Sequence, residues 1–218
     1  MNICIGIISY LPDEQKLRNE RLNRLTNLLK QCDEFFKLPI LLVAQNFKND
    51  FNFMPRNSKL YVYNYKNKLG ITGARISLRK YFLLSSFDNI ILLDDDMKLT
   101  NEDNAIRYLR EIDGKHDFYY LKSWLLNFSC ISKNGMEKII FDPEIDPEKG
   151  LGFEDWVFYE KCLKVLNKKV IVSYLPVGKR RDYLNDKYST WITPELSNSS
   201  KNTSKSLTII KNVRDGKI

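Results

Sequence analysis

The stretch that decides the fold is Asp88-Asn-Ile-Ile-Leu-Leu-Asp-Asp-Asp-Met97, in which an apolar run ends abruptly in three consecutive carboxylates. The run over residues 90–93 is typical of a strand that is buried on both faces of a sheet. Asp94, Asp95 and Asp96 then follow together at the carboxyl end of that strand, which is the edge where open α/β sheets bind their ligands. The segment therefore predicts an α/β fold with an acidic site at one edge of the sheet.

The chemistry of this acidic cluster points to a metal. Adjacent carboxylates repel one another and raise each other's pKa unless a positive charge lies among them. A hard divalent cation with a bound phosphate is the usual occupant of such a site. A helix N-cap or a solvated turn also favours aspartate, but either would account for a single residue more readily than for three in a row.

The rest of the chain predicts strands alternating with helices. Apolar runs predict strands over residues 3–9, 39–44, 60–63, 90–93, 125–131 and 170–174. Helical spacing of apolar residues runs through 22–32, 74–82, 105–109 and 156–166. This alternation indicates an α/β fold with a single domain, in which a mainly parallel central sheet is flanked by helices on both faces.

Size and composition narrow the class of protein. The chain has 218 residues, which fits one domain with a sizeable core. Its 35 Lys and Arg against 27 Asp and Glu give a net charge of +8, which favours anionic partners such as nucleotides, nucleic acid or acidic lipid headgroups. The four cysteines form no Cys-x-x-Cys pair, and the start of the chain has no signal-peptide pattern. We therefore expect a cytoplasmic protein with reduced core cysteines.

Two further segments carry residues suited to chemistry. Asn67-Lys-Leu-Gly-Ile-Thr-Gly-Ala-Arg75 places two glycines at the start of a predicted helix, where backbone N–H groups and Arg75 favour an anion. Gly150-Leu-Gly-Phe-Glu-Asp-Trp156 presents Glu154 and Asp155 at the start of another. Acids in a first helical turn also complement the helix dipole, so the residues alone leave a structural and a catalytic interpretation open.

Taken together, these segments resemble the GT-A fold glycosyltransferases, in particular the family 2-like enzymes and their galactosyltransferase relatives. The resemblance rests on the first strand at residues 5–10, on Gly70-x-x-Gly-Ala-Arg75, on Asp94-x-Asp96 and on Gly152-Phe-Glu-Asp-Trp156. It covers roughly residues 1–175 and, together with the length of the chain, implies a single GT-A (Rossmann-like) glycosyltransferase domain over residues 1–218. A nucleotide-binding half would occupy 1–100, an acceptor-binding half 101–194, and a mobile basic C-terminal segment 195–218.

The resemblance also implies a donor site. It implies metal-dependent transfer of a sugar from a nucleotide-diphosphate sugar, with a UDP-sugar as the first expectation and Mn²⁺ or Mg²⁺ as the metal. Asp96 would bind the metal directly, and Asp94 would reach the ribose or a metal-bound water. Asp95 and Arg75 would also contact the donor, and Tyr10, at the end of the first strand, would contact the nucleotide base.

On the acceptor side, the resemblance assigns the general base to Asp155 in an inverting enzyme, with Glu154 orienting the acceptor. The acceptor would be a hydroxyl of a saccharide, a lipid-linked molecule or a protein, and nucleic acid is not an expected partner. The basic C-terminal segment is compatible with peripheral membrane contact. Residues 197–205, with the basic residues 179–181, are expected to order over the donor as a lid.

The chain departs from the family pattern in two places. Ala44-Gln-Asn46 stands where many relatives carry an Asp-Gly-Ser turn that reads the base. Many relatives also carry a late metal-binding histidine, whereas the single histidine here is His116. Asp182 or Asp186 could replace that ligand, or Arg180 and Arg181 could clamp the diphosphate.

Two other classes of protein remain open from the residues. A haloacid-dehalogenase-type phosphatase also carries Asp-x-Asp after an apolar strand, but near its N-terminus and with Thr or Val where this chain has Lys98. A basic nucleic-acid-binding module would explain the net charge, but the three clustered acids would repel a phosphate backbone.

Overall fold

The computed structural model describes residues 1–48, 51–99, 102–121, 128–143, 154–171, 211–212 and 215. The strands are β1 (Ile3–Tyr10), β2 (Ile40–Gln45), β3 (Leu60–Tyr65), β4 (Asn89–Asp94), β5 (Phe118–Tyr120), β6 (Ser129–Ser132) and β7 (Lys168–Val170). The helices are α1 (Gln15–Gln31), which continues as a π-helical segment (Cys32–Phe36), α2 (Gly70–Leu84), α3 (Glu102–Glu111), α4 (Lys133–Lys138) and α5 (Glu154–Val165).

The seven strands form one mixed sheet in the order β3-β2-β1-β4-β6-β5-β7. The pairs among β1 to β4 are parallel, and only β6 runs antiparallel to its neighbours among the described strands. The chain moves outward from β1 to β3 and then returns to the other side of β1 for β4. The strand order therefore reverses between β1 and β4, and such a switch point is where open α/β sheets bind ligands.

Apolar cores lie on both faces of this sheet. One packs the sheet against α1 and α3, and the other packs it against α2, α4 and α5. Successive side chains of a strand point to opposite faces, so Ile91 and Leu93 of β4 enter the first core while Ile90 and Leu92 enter the second. The predicted α/β fold, with a mainly parallel sheet and helices on both faces, is confirmed.

Some of the predicted bounds are wrong. The strand predicted over 125–131 begins at Ser129 and ends at Ser132, and the strand predicted over 170–174 begins earlier, at Lys168. Strand β5 and helix α4 were not predicted, because segments of three and six residues are too short to show a period. Residues 122–127 and 172–174 lie outside the described part of the chain.

The four cysteines are free and buried, as the sequence predicts for core residues. Burial raises the pKa of each thiol, which keeps the sulfur protonated. Across the described residues, no helix has the length and apolar character that a bilayer crossing requires.

Gly6 lets helix α2 approach the sheet beside the switch point. A Cβ atom at this position would lie 2.5 Å from Cδ1 of Ile90 and 2.9 Å from Cδ2 of Leu78, closer than packed carbon atoms allow. Gly6→Ala is therefore expected to lower the free energy of unfolding by about 1–3 kcal/mol, the usual cost of overpacking. Urea denaturation measures the change, and an unchanged midpoint would contradict this close packing of α2 on β1.

Candidate functional site

The acidic cluster lies at the carboxyl edge of the sheet, at the switch point between β1 and β4. Asp94 is the last residue of β4 and pairs in register with Ile8 of β1. Asp95 and Asp96 form a turn in which the Met97 N–H donates to the Asp94 carbonyl at 3.2 Å. The position predicted from the sequence is thus the position at which the fold presents an open edge.

The three carboxylates occupy different environments. Asp94 continues the side of β4 that faces α2, where Nη2 of Arg75 donates to its Oδ1 at 3.3 Å. Asp95 turns to the α1 side, where its Oδ2 accepts a 2.6 Å hydrogen bond from the Ser9 hydroxyl. Asp95 is 8% exposed, whereas Asp94 and Asp96 are partly exposed. Asp94 and Asp96 are therefore the members of the cluster that a ligand can reach.

Arg75 forms the α2 wall of the site. Helix α2 begins at Gly70, whose φ of 72° is a left-handed conformation that glycine adopts without strain. Arg75 is 8% exposed, and its Cζ lies 5.9 Å from the centre of the Phe141 ring. The guanidinium therefore lies between an aromatic ring and the Asp94 carboxylate, rather than extending into solvent.

Burial and repulsion between the carboxylates raise the pKa of two members of the cluster. Burial, followed by the charges of Asp94 and Asp95, raises the pKa of Asp96 to about 7. Burial also raises the pKa of Asp95, against the opposing effects of the Arg21 charge and the Ser9 hydrogen bond. This edge therefore carries negative charge that its neighbours do not fully compensate, which is a condition that a bound cation relieves.

The carboxylate oxygens available at this edge are ligands that suit a hard divalent cation. In the described part of the chain, no three His, Cys, Asp or Glu side chains cluster as a complete metal site. Mg²⁺, however, is commonly held by one or two carboxylates together with waters and substrate phosphates, rather than by an all-protein cage. Asp94 and Asp96 fit that arrangement. Arg180, Arg181, Asp182 and Asp186, considered as further ligands or clamps, lie outside the described residues, as does the predicted lid over 197–205.

The carboxyl ends of β1 and β2 form a second part of this edge. Nζ of Lys68 lies 5.2 Å from the centre of the Tyr10 ring, so an aromatic face and a cation meet where the base was expected. Nη1 of Arg21 donates to the Tyr10 carbonyl at 3.2 Å. Gln45, at the departure from the family pattern, is buried, and its Oε1 accepts from the Leu69 N–H at 2.6 Å. In this chain Gln45 therefore holds the segment before α2.

Helix α5 brings the second pair of acids to the same edge. Its last turn leads to Asn167, whose carbonyl accepts from the N–H groups of Asp117 and Phe118 at the opposite edge of the sheet. The helix therefore starts near the carboxyl edge, with Glu154 and Asp155 at its beginning. Asp155 is half-buried, and its Oδ1 accepts from the Trp156 N–H at 2.8 Å.

Aromatic contacts connect α5 with the residues around the acidic cluster. Phe158 stacks on Phe141 at 3.9 Å between ring centres, and Phe141 is the ring beside Arg75. Asp94, Arg75, Phe141 and Phe158 therefore form a continuous series of contacts from β4 to α5. The structure therefore brings Asp94, Arg75 and the first turns of α5 onto one side of the sheet.

His116 does not belong to this site. It precedes β5 at the opposite edge of the sheet, where its Nδ1 lies 3.1 Å from Oδ1 of Asp113. Ser9, Arg21 and Gln45 are site residues that sequence reasoning missed, because a single polar residue at a strand end or on a helix has no pattern that marks it. The break of the apolar run at Ser9 was the one available signal.

Asp96 is expected to reduce the stability of the protein above neutral pH. Its pKa is raised from the ordinary value of 3.8 to about 7 in the folded state, so the folded state binds more protons than the unfolded state between these values. Stability therefore falls as the pH rises through this window. Asp96→Asn should raise the melting temperature at pH 8 and change it little at pH 4, as measured by circular dichroism without metal.

Asp113→Asn is the control with the opposite sign. Hydrogen bonds from the Lys115 N–H and the Tyr119 hydroxyl lower the pKa of Asp113, so its charge stabilises the folded state. This variant should melt at a lower temperature than the parent at pH 8. A lower melting temperature for both variants at pH 8 would contradict charge repulsion at the acidic edge.

Comparison with known proteins gives matches in structure only. No protein-family model and no curated protein sequence matches the chain. Residues 1–349 of Staphylococcus aureus TarS in complex with UDP superpose with a TM-score of 0.62 at 13% identity, over 98% of this chain and 65% of that one. The same protein with UDP-GlcNAc gives a TM-score of 0.59 at 15% identity, over 98% and 66%.

The mannosyltransferase PcManGT from Pyrobaculum calidifontis, in complex with GDP-Man and Mn²⁺, superposes with a TM-score of 0.53 at 11% identity, over 98% of this chain and 73% of that one. The chain spans between about a third and two thirds of the length of the TarS structures that it matches. At these identities the likeness concerns the fold. The chain has the GT-A-like fold of nucleotide-diphospho-sugar transferases.

Proposed function

We propose that the protein is a metal-dependent glycosyltransferase that moves a sugar from a nucleotide-diphosphate sugar to a hydroxyl acceptor. The observation that carries the proposal is the position of Asp94 and Asp96. Two accessible carboxylates follow a buried strand at the switch point of the sheet, in a fold shared with proteins crystallised with UDP, UDP-GlcNAc or GDP-Man. The net charge of the chain, which is +8, also attracts an anionic donor.

On the donor side, Asp94 and Asp96 are the residues that would hold Mn²⁺ or Mg²⁺. The ion would neutralise the diphosphate as it leaves, which is where negative charge grows in glycosyl transfer. Arg75 keeps a positive charge beside Asp94 on the α2 side of the edge. Tyr10 and Lys68 offer an aromatic and cationic surface for the nucleotide base. A UDP-sugar is the first donor to test, because two of the matched complexes contain UDP or UDP-GlcNAc.

On the acceptor side, we assign Asp155 as the general base and Glu154 as the residue that orients the acceptor. The start of α5 at the carboxyl edge supports this assignment, as does the half-buried position of Asp155. A base at this point would take the proton of the acceptor hydroxyl as that oxygen attacks the sugar. The proposed acceptor is a hydroxyl group of a saccharide, a lipid-linked molecule or a protein.

The alternative activities gain no support from the geometry. The first carboxylate of a phosphatase motif acts as a nucleophile, whereas Asp94 is ion-paired with Arg75. A nucleic-acid-binding module would place basic residues along its binding edge, whereas this edge presents Asp94 and Asp96. A filter-binding titration against salt, run beside nucleotide-sugar binding, separates these classes.

Asp96→Ala is expected to abolish metal-dependent donor binding while the protein stays folded, because a carboxylate at a strand end contributes little to the core. Isothermal calorimetry with UDP and Mn²⁺ measures the affinity. Asp88→Ala is the matched control, since Asp88 lies at the other end of β4 and accepts from the Asn2 N–H at 2.7 Å. Unchanged affinity in Asp96→Ala would contradict the proposed metal site.

Asp155→Asn is expected to lower turnover by about 10²-fold or more with donor binding nearly unchanged, since the amide keeps the shape and loses the basicity. Release of UDP in the presence of an acceptor measures turnover. Glu160→Gln is the control on the same helix, because Glu160 accepts from Trp156 Nε1 at 3.2 Å and glutamine keeps that bond. Normal turnover in Asp155→Asn would place the base elsewhere or indicate a retaining enzyme.

A further inference from the structure

The end of β1 is joined to the acidic turn by a buried hydrogen bond. Oγ of Ser9 donates to Oδ2 of Asp95 at 2.6 Å, across 86 residues of sequence. Ser9 is 2% exposed and Asp95 is 8% exposed. A hydrogen bond to a charged acceptor is stronger than a neutral one, and its exclusion from water strengthens it further.

The α1 side of the sheet supports this bond. Strand alternation places Ser9 on the side of Ile5 and Ile7, which pack in the core beneath α1. Arg21 of α1 donates to the Tyr10 carbonyl at 3.2 Å, and its charge acts on Asp95. The middle carboxylate of the cluster is thus held by a hydroxyl from β1 and by a positive charge from α1.

This arrangement limits what the neighbouring carboxylates can do. Asp94 is the last residue of β4, and the turn after it closes through the bond from the Met97 N–H to the Asp94 carbonyl. With Asp95 held on the α1 side, Asp94 and Asp96 lie on either side of a fixed point. The positions of the Asp94 and Asp96 carboxylates at the edge therefore depend on Asp95, which is itself buried.

We propose that Ser9 is a positioning residue for the donor metal, which acts through Asp95 to fix the carboxylates of Asp94 and Asp96. The inference rests on the proposed function and extends it to a residue of β1. It gives Asp95 a holding role rather than a ligand role. Residues that orient metal ligands from behind commonly contribute 10–100-fold to metal affinity.

The chain contains a matched pair at the opposite edge of the sheet. Oγ of Ser132 donates to Oδ1 of Asp117 at 2.7 Å, which is nearly the same length as the bond of Ser9. Ser132 pairs in register with Asn89, at the start of β4, so this bond lies at the far end of the strand from the acidic cluster. Ser132 also caps α4, because its Oγ accepts from the Gly135 N–H at 2.9 Å. Ser132→Ala therefore removes at least as many hydrogen bonds as Ser9→Ala, in the same sheet, without touching the site.

The experiment measures Mn²⁺ affinity by electron paramagnetic resonance in the presence of UDP, for the parent protein, Ser9→Ala, Ser9→Cys and Ser132→Ala. Ser9→Ala should weaken Mn²⁺ binding about 10–100-fold. Ser9→Cys, with a weak donor, should fall between Ser9→Ala and the parent. Ser132→Ala should bind as the parent does. If Ser9→Ala does not fold, as judged by circular dichroism, Ser9→Cys carries the comparison.

A double-mutant cycle tests whether Ser9 acts through Asp95. In an Asp95→Asn background, Ser9→Ala should cause little further loss of Mn²⁺ affinity. A full further loss would overturn the proposed route, as would equal weakening by Ser9→Ala and Ser132→Ala. Parent-like Mn²⁺ affinity in the Ser9 variants would overturn the inference and leave the proposed function standing. Failure of the parent protein to bind Mn²⁺ with UDP would overturn the proposed function itself.

Discussion

The parallel pairing of β1 with β4 is the constraint on which the rest of the site depends. Because the chain crosses to the other side of β1 after β3, two carboxyl ends meet at the switch point with no helix between them. The register then sets Ile8 opposite Asp94 and leaves Ser9 and Tyr10 beside the acidic turn. A slip of one residue would exchange the two faces of β4 and move Asp94 away from Arg75.

The alternation of side chains along β4 places the carboxylates of Asp94 and Asp95 on opposite sides of the sheet. Asp94 meets Arg75 on the α2 side, and Asp95 meets Ser9 and the Arg21 charge on the α1 side. Asp96 follows both, and its partial burial together with the charges of the two other carboxylates raises its pKa to about 7. The repulsion is tolerated because the preceding strand is apolar and fully covered, and each buried aliphatic side chain contributes about 1.5–3 kcal/mol.

The sequence predicted the elements whose signal is local and long. The apolar run before Asp94 and the helical spacing around Leu78 gave a strand and a helix near their observed positions. The short strand β5 was missed because three residues carry no period. The contact from Ser9 to Asp95 was missed for a different reason. It joins positions 86 residues apart, and only the strand order brings them together.

The three clustered aspartates do not share one environment. In the sequence, Asp94, Asp95 and Asp96 are equivalent neighbours, and nothing in their order says which of them faces outward. The sheet separates them, because adjacent residues at a strand end point to opposite faces before the turn begins. One carboxylate is then used to hold the turn, and two are left accessible. Two accessible oxygen donors suit a cation that completes its coordination with a diphosphate and water, so on the proposed function metal and nucleotide bind to this edge as a unit.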